Sequence, residues 1–416
     1  MKINKFGGAS VKSAEGVKNL EYIIRTKIFD GIIVISAFGK TTNQLESLVE
    51  AIFKKEKSAF YTILDEVKSY HYNILRQLFD SGHAIYGQVD SLFFNIEERY
   101  SSDYQDYDFL YDQVVCYGEL LSTWIVSAYL SLAGLSNEWI DIRDQIVTNN
   151  LFREALVDWN ISYKNIRKLF DNEEKLYITQ GFIAGTNNGL TTTLGREGSD
   201  YTAAILANSL DANAVTIWKD VSGVLNADPR YFENPEKIDK ISYQEAIELA
   251  YYGAKIIHPK TIKPLQNKDI PLYVQSFLEP DNSGSVIANF PSYNEDRPIF
   301  ILKKNQVLIS VIPKDFSFVF EELMSSIYAL FAEYKIKVNL IQNSAINFTV
   351  CVDEGNSKIY KLIEELRKNF KVLYNQGLEL VTVRHYTEKS LVNLLKGRNI
   401  LVEQRSRHTA QFVLEA

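Results

Sequence analysis

The sequence predicts an α/β protein: a mostly parallel sheet covered by helices, followed by two small α+β units. Three observations predict it. GIIVIS, residues 31–36, is a short apolar run that ends in a loop, as a strand buried on both faces does. Strand-like and helix-like segments then alternate, the pattern of a parallel sheet with crossover helices. Around residues 280–298 the composition turns to EPDNSGS and PSYNEDRP, and beyond it a short strand–helix pattern occurs twice.

After GIIVIS, Leu45, Leu48, Val49, Ile52 and Phe53 recur at helical spacing. The pattern predicts a long helical stretch over roughly 43–170, in which VVCYGELLSTWIVSAYL (residues 114–130) is apolar all round and reads as a core helix. Strands return at LYITQG (176–181), AVTIW (214–218) and PLYVQ (271–275), with helical segments such as YTAAILANSL (201–210) between them. Ligands of such sheets sit beyond the C-terminal strand ends. Past the polar stretch come VLISVIP, a helix with Leu323, Ile327, Leu330 and Phe331 on one face, the strands IKVNLI and INFTVCV, and a helix with Ile359, Leu362, Ile363 and Leu366. A second version follows with ELVTVRH, SLVNLLKG, ILVEQ and AQFVLE.

At 416 residues the chain is long enough for two or three domains. A hydrophobic fraction of 46% and a charged fraction of 23% are ordinary for a globular protein. The net charge of −7 leaves no basic stripe for a nucleic acid, so an anionic ligand must be met by a few local Lys and Arg side chains. Cys116 and Cys351 lie in apolar runs and read as buried thiols of a reducing cytoplasm. Five scattered His residues show no metal-ligand spacing. The N-terminus lacks an apolar signal core and no run approaches a membrane span, so the expected protein is intracellular with no membrane partner.

KFGGASV, Lys5 to Val11, places two glycines beside a cation directly after the first expected strand. Adjacent glycines open the backbone to a ligand, and a loop leading into a helix gathers amide N–H groups that bind anions. A plain turn after an edge strand fits Gly7 and Gly8 equally well. GREGSDYTAAI (195–205) leads from a Thr-rich strand into a helix; Arg196 offers a planar fork for a carboxylate or phosphate, and Asp200 can accept hydrogen bonds from loop amides or from two cationic side chains, holding them in register. The plain alternative makes Ser199 or Asp200 an N-cap. IWKDVSGVLNADPR (217–230) carries Asp220, Asp228 and Arg230 and suits either a nucleotide or a polar surface connection. In YYGAKIIHPKTI (251–262), Lys255 follows Gly253 at the end of a helical segment, where a C-terminal cation is favoured by the helix dipole, and His258 reads as a packed, hydrogen-bonded residue. SAFGKTTN (36–43) imitates a P-loop tail, but Val34 stands where that motif needs glycine; Ser36 and Thr42 read as pocket hydroxyls or turn caps.

Taken together, KFGGASV, SAFGKTTN, the YGE of Tyr117–Glu119, LGREGSDYTAA, IWKDVSGVLNADPR and YGAKIIHPKTI resemble, in order and spacing, the aspartokinases of the amino-acid-kinase fold. The resemblance covers essentially the whole chain and implies an ATP-dependent kinase that makes 4-phospho-L-aspartate, the first step of lysine, threonine and methionine biosynthesis, with Mg²⁺. It implies a catalytic domain over 1–284 and ACT-like domains over 298–375 and 376–416, the last borrowing strand 298–304. Those domains would make the chain a homodimer or a higher homo-oligomer. No dinucleotide-binding segment follows, so no fused homoserine dehydrogenase is expected.

Carried over by position, the resemblance implies that Lys5, with Gly7 and Gly8, receives the transferring phosphoryl group, that Lys255 meets the other phosphates, and that Asp200 holds the lysines. Glu119 would take the substrate ammonium and Arg196 its α-carboxylate, with Ser36, Thr42 and Ser199 completing the aspartate pocket. Ser10, Lys219, Asp220, Asp228 and Arg230 would line the nucleotide site, and no protein side chain would bind the metal. Ala9, Glu197 and Leu225 depart from the usual threonine, glycine or asparagine, and tyrosine. In the effector region, residues 337–350, Asn339 and Ala345 stand where lysine-inhibited relatives carry acids, while Ser344 remains. Weak or absent lysine inhibition is therefore expected. The competing readings are a relative acting on another carboxylate or carbamate and a catalytically silent amino-acid sensor.

Overall fold

The computed structural model describes residues 1–28, 30–170, 172, 174–254, 257–291, 297–315, 321–355 and 357–415. The chain divides into two compact units. One comprises Met1–Val224, Lys237–Ile247 and Lys255–Tyr293; the other comprises Leu225–Glu236, Glu248–Ala254 and Asn294–Ala416.

The first unit is built on an eight-stranded sheet in the order Lys240–Ser242, Ser285–Ala288, Leu272–Ser276, Ala214–Lys219, Lys2–Phe6, Gly31–Ile35, Leu176–Gln180 and Glu138–Ile140. Pairing is parallel from Leu272–Ser276 to Glu138–Ile140 and antiparallel where Ser285–Ala288 joins. Gly31–Ile35 is buried at every residue, as the unbroken apolar run GIIVI requires of a central strand. In register, Phe6 lies opposite both Ile35 and Trp218. The loops after these three strands therefore leave from one edge, side by side, and this edge carries the candidate site.

The helical stretch expected over 43–170 is interrupted. Helices occupy Thr41–Phe53, Lys57–Leu78, Ile85–Glu98, Tyr107–Val115, Tyr117–Leu132 and Trp159–Leu169, but Glu138–Ile140 adds an edge strand and Val147–Thr148 joins a small separate sheet. Two- and three-residue strands have no periodicity to read; the pairing partner creates them. SVIA at Ser285–Ala288, inside the polar stretch 280–298, is a strand for the same reason.

One run does reach membrane-span length: Tyr107–Leu132 is long and apolar enough, contrary to the sequence expectation, and 72% of its apolar window is buried inside the protein. It is a core element, broken at Cys116 between its two helices.

In the second unit a six-stranded antiparallel sheet runs Val338–Asn343, Phe348–Asp353, Ile299–Pro313, Phe370–Arg384, Thr409–Glu415, Ile400–Arg405. Ile299–Pro313 and Phe370–Arg384 are long enough to serve two cores. Val307, Ile309 and Val311 pack with Ile327, Phe331, Leu362 and Leu366 in one, and Val381, Val383 and Phe412 pack with Leu391 in another. The register shifts between Lys303 and Leu308 fall where one half of the strand gives way to the other.

Candidate active site

Lys5 is the fourth residue of the Lys2–Phe6 strand and is buried among sheet neighbours. Its Nζ lies 2.6 Å from Oδ1 of Asp200, in the first turn of the Gly198–Ser209 helix, and Lys219 Nζ lies 3.8 Å from Asp200 Oδ2. Burial opposes ionisation of the Asp200 carboxyl, but Lys5 and Lys219 together hold it below the ordinary range. One buried carboxylate thus fixes two ammonium groups that would otherwise repel, leaving a net positive cluster at the sheet edge. Asp200 and Ser199 are inside the helix; the N-cap position belongs to Glu197, in the left-handed region at φ 53° with no side-chain cap. The capping alternative for Ser199 and Asp200 is therefore replaced. Glu197 also keeps Oε2 buried without a partner, so it does not point outward.

The two glycines differ. A Cβ on Gly7 would meet only ordinary contacts, Lys5 Nζ at 3.6 Å and Trp218 O at 3.9 Å, so the space above it is open to a ligand. On Gly8 a Cβ would lie 2.5 Å from the Ala37 carbonyl oxygen. The openness of Gly8 is used by the protein's own backbone: the Gly39 N–H donates to Gly8 O at 3.0 Å, joining the loop after the first strand to the loop after the second. Ser10 is buried and donates to the Trp218 carbonyl at 3.4 Å, and Phe6 stacks on Trp218.

Glu119 lies in the first turn of Tyr117–Leu132, which packs so closely on the 36–38 loop that a Cβ on Gly118 would come 3.0 Å from Ala37 Cβ. Its carboxyl is fully buried. Desolvation pushes it up to about 8, against hydrogen bonds from the Ala37 and Glu119 backbone, and Oε2 has no partner. A buried carboxyl with an unfilled oxygen is suited to a ligand that brings a cation. Ser36 and Thr42 are half-buried on the adjoining loop and helix start, and Arg196 is exposed on the loop before Gly198–Ser209.

Other expected residues are not gathered here. Asp220 is exposed just after the Ala214–Lys219 strand, and Lys255 lies outside the described residues. Asp228 and Arg230 belong to the second unit, where Arg230 folds back on Asp228 with Nε–Oδ1 at 3.0 Å and Nη2–Oδ2 at 2.5 Å. His258 caps Pro259–Gln266, accepting from Lys260 N at 3.1 Å, in keeping with its reading as a hydrogen-bonded residue. In the second unit Asn339 accepts from Lys303 Nζ (2.8 Å) and donates to Gln306 Oε1 (2.9 Å) and Asp353 Oδ1 (3.0 Å); Ser344 Oγ donates to Asn347 O at 3.4 Å.

Sequence reading missed two supports. Asp112 is buried, accepts from Thr193 Oγ1 (2.7 Å), Thr193 N and Arg153 N (3.0 Å each), and anchors the strand that feeds the 195–200 loop. Tyr70 reaches the backbone of the first loop. Neither lies in a motif, and only the fold brings them to the loops.

The amino acid kinase family profile matches residues 1–276. Lysine-sensitive aspartokinase 3 of Escherichia coli (strain K12) is 32% identical over 394 residues, covering 92% of this chain and 86% of that protein. The chain belongs to the aspartokinases. Aspartokinase 1, chloroplastic, of Arabidopsis thaliana is 29% identical over 416 residues, 96% of this chain and 69% of the relative. Bifunctional aspartokinase/homoserine dehydrogenases are matched over less than half their length, 42% for one of Arabidopsis thaliana and 47% for that of Buchnera aphidicola. The crystal structure of E. coli aspartokinase III with aspartate and ADP superposes with a TM-score of 0.84 at 29% identity, covering 100% of this chain and 96% of that one. That of the Clostridium acetobutylicum aspartate kinase, at 24% identity and a TM-score of 0.80, shares the fold. The α/β fold read from the sequence is the aspartokinase fold.

Proposed function

We infer that the chain is an ATP-dependent aspartate kinase. The β-carboxylate oxygen of L-aspartate attacks the γ-phosphorus of ATP, the bond from that phosphorus to the β-phosphate oxygen breaks, and 4-phospho-L-aspartate and ADP leave. The observation that carries the reading is the Lys5–Asp200–Lys219 cluster at the sheet edge, a fixed pair of cations beside the open backbone of Gly7. Phosphoryl transfer spreads charge over the equatorial oxygens, so catalysis rests on positioning and electrostatic stabilisation. The attacking carboxylate is ionised at pH 7 and needs no general base.

The unfilled Glu119 carboxyl supports an α-amino acid over a carbamate or a simple carboxylate, because it calls for an ammonium. Arg196 would hold the α-carboxylate, with Ser36, Thr42 and Ser199 beside it, while Ser10, Lys219, Asp220 and Lys255 would face the nucleotide. Mg²⁺ would arrive on the nucleotide phosphates, because Asp200, the buried carboxylate of the cluster, is engaged by two lysines. When bound, the ion would neutralise phosphate charge.

The domain division 1–284, 298–375 and 376–416 extends the same reading, the two ACT-like units sharing the long strands Ile299–Pro313 and Phe370–Arg384. Val338–Asn343 and Ile400–Arg405 each border the six-stranded sheet on one side only, which supports assembly of a homodimer or larger oligomer through these units. A cytoplasmic setting suits the two buried free cysteines.

Trapping the product with hydroxylamine while following ADP release tests the activity. Aspartyl hydroxamate formed in proportion to ADP is expected; ADP release that does not depend on aspartate would overturn the reading.

A further inference from the structure

Tyr70 stands on the Lys57–Leu78 helix, 30 residues beyond Lys40, which ends the second loop, and belongs to none of the chemistry-bearing motifs. Its hydroxyl donates to the Lys12 carbonyl at 2.6 Å, in the loop that carries Gly7, Gly8 and Ser10. The same oxygen faces Gly39 in the loop that carries Ser36: a Cβ on Gly39 would come within 2.7 Å of it, and Gly39 itself has φ 57°. Next to Tyr70, the buried and neutral ring of His71 stacks under Phe38 at 5.9 Å and donates through Nδ1 to the Val67 carbonyl at 2.8 Å. One turn of helix thus touches both loops, and those loops are already bonded to each other through Gly39 N–H and Gly8 O.

We propose that Tyr70 is a positioning residue for phosphoryl transfer, holding the phosphate-binding loop and the aspartate-binding loop in one register. The inference rests on the aspartate kinase reading, because it assigns the donor to one loop and the acceptor to the other. In-line transfer needs the attacking oxygen within about 3–3.5 Å of phosphorus, and small misplacements lower the rate far more than they weaken binding. A hydroxyl that fixes the spacing of two loops therefore acts on kcat rather than on either KM. When the acceptor carboxylate is out of line, water takes its place: a water oxygen attacks the γ-phosphorus, ADP leaves, and inorganic phosphate forms with release of a proton.

The test is Tyr70→Phe, which keeps the ring and removes only the hydroxyl. Expected is a kcat for aspartyl phosphate about five- to tenfold lower, the size of one lost hydrogen bond, with both KM values within about twofold of wild type. The ratio of excess ADP, released beyond the hydroxamate formed, to aspartyl hydroxamate is expected to rise at least about threefold, because trapping itself frees one phosphate per hydroxamate, while the thermal midpoint stays within about 2 °C. A structural role alone would lower the midpoint and leave that ratio unmoved. Gly39→Ala, which pushes a methyl group against the hydroxyl, is the second variant; its kcat loss is expected to shrink in the Tyr70→Phe background. An unchanged ratio and kcat in Tyr70→Phe, or losses that simply multiply in the double variant, would overturn the proposal. A wild-type protein that makes no aspartyl phosphate would instead overturn the functional reading beneath it.

Discussion

Lys5 Nζ and Asp200 Oδ1 lie 2.6 Å apart, both nearly closed to solvent, although 194 positions separate them in the chain. The strand Lys2–Phe6 and the first turn of Gly198–Ser209 meet only because the central sheet brings them together. Asp200 also faces Lys219, so the aspartate sets where both cations stand.

Removing the cation proposed to meet the phosphoryl group should be costly. A unit charge about 4 Å away contributes roughly 4 kcal/mol at an effective dielectric near 20, about a thousandfold if all of it were specific to the transition state. Lys5→Ala is therefore expected to lower kcat by about a hundredfold or more. Steady-state kinetics on folded variant protein checks this, and a kcat within about threefold of wild type would remove Lys5 from the phosphoryl group.

Glu119 makes the free protein pH-sensitive. Its carboxyl is raised from 4.5 to about 8 by burial, so the folded state binds the extra proton over that window and stability falls as pH rises through it. Glu119→Gln is expected to flatten that decline in thermal unfolding between pH 6 and 8.5. The ammonium of bound aspartate should draw the carboxyl down and release a proton near pH 7, so KM for aspartate should fall between pH 6.5 and 8. Calorimetry of aspartate binding in buffers of different ionisation enthalpy reads the proton directly; no proton release at pH 7 would count against Glu119 as the ammonium partner.

Arg196 is exposed and carries a fork suited to a carboxylate. Arg196→Lys keeps the charge but loses bidentate geometry, so KM for aspartate is expected to rise well before KM for ATP. Equal rises in both constants would shift Arg196 to the nucleotide.

Control by lysine is expected to be weak. Asn339 spends its amide on Lys303, Gln306 and Asp353, and Ala345 offers no charge. Each missing charge-assisted partner costs a bound ammonium roughly 1.5–3 kcal/mol, about one to two orders of magnitude in affinity. Half-maximal inhibition is expected only at millimolar lysine or not at all, although one relative is a lysine-sensitive enzyme. An inhibition titration with fixed aspartate and ATP settles it, and micromolar potency would sink the idea.

The sequence by itself determined the central strands, because runs such as GIIVI and AVTIW have no other stable place than a buried sheet, and it determined the residue types at the strand ends where charge is needed. KFGG, GREGSD and the YGE of Tyr117–Glu119 were legible as candidates because glycine and paired charges are costly to keep without a use. Their arrangement was decided only in three dimensions. That Gly8 serves the neighbouring loop while Gly7 stays open depends on which backbone lies 2.5 Å away, a long-range fact with no local signature. The strands Glu138–Ile140 and Ser285–Ala288 exist through their pairing partners, and Tyr70 and Asp112 reach the site loops from helices whose own pattern reports only a buried face. Periodicity records which side of a segment avoids water; which hydroxyl or carboxylate then meets a given loop is fixed by how the segments pack.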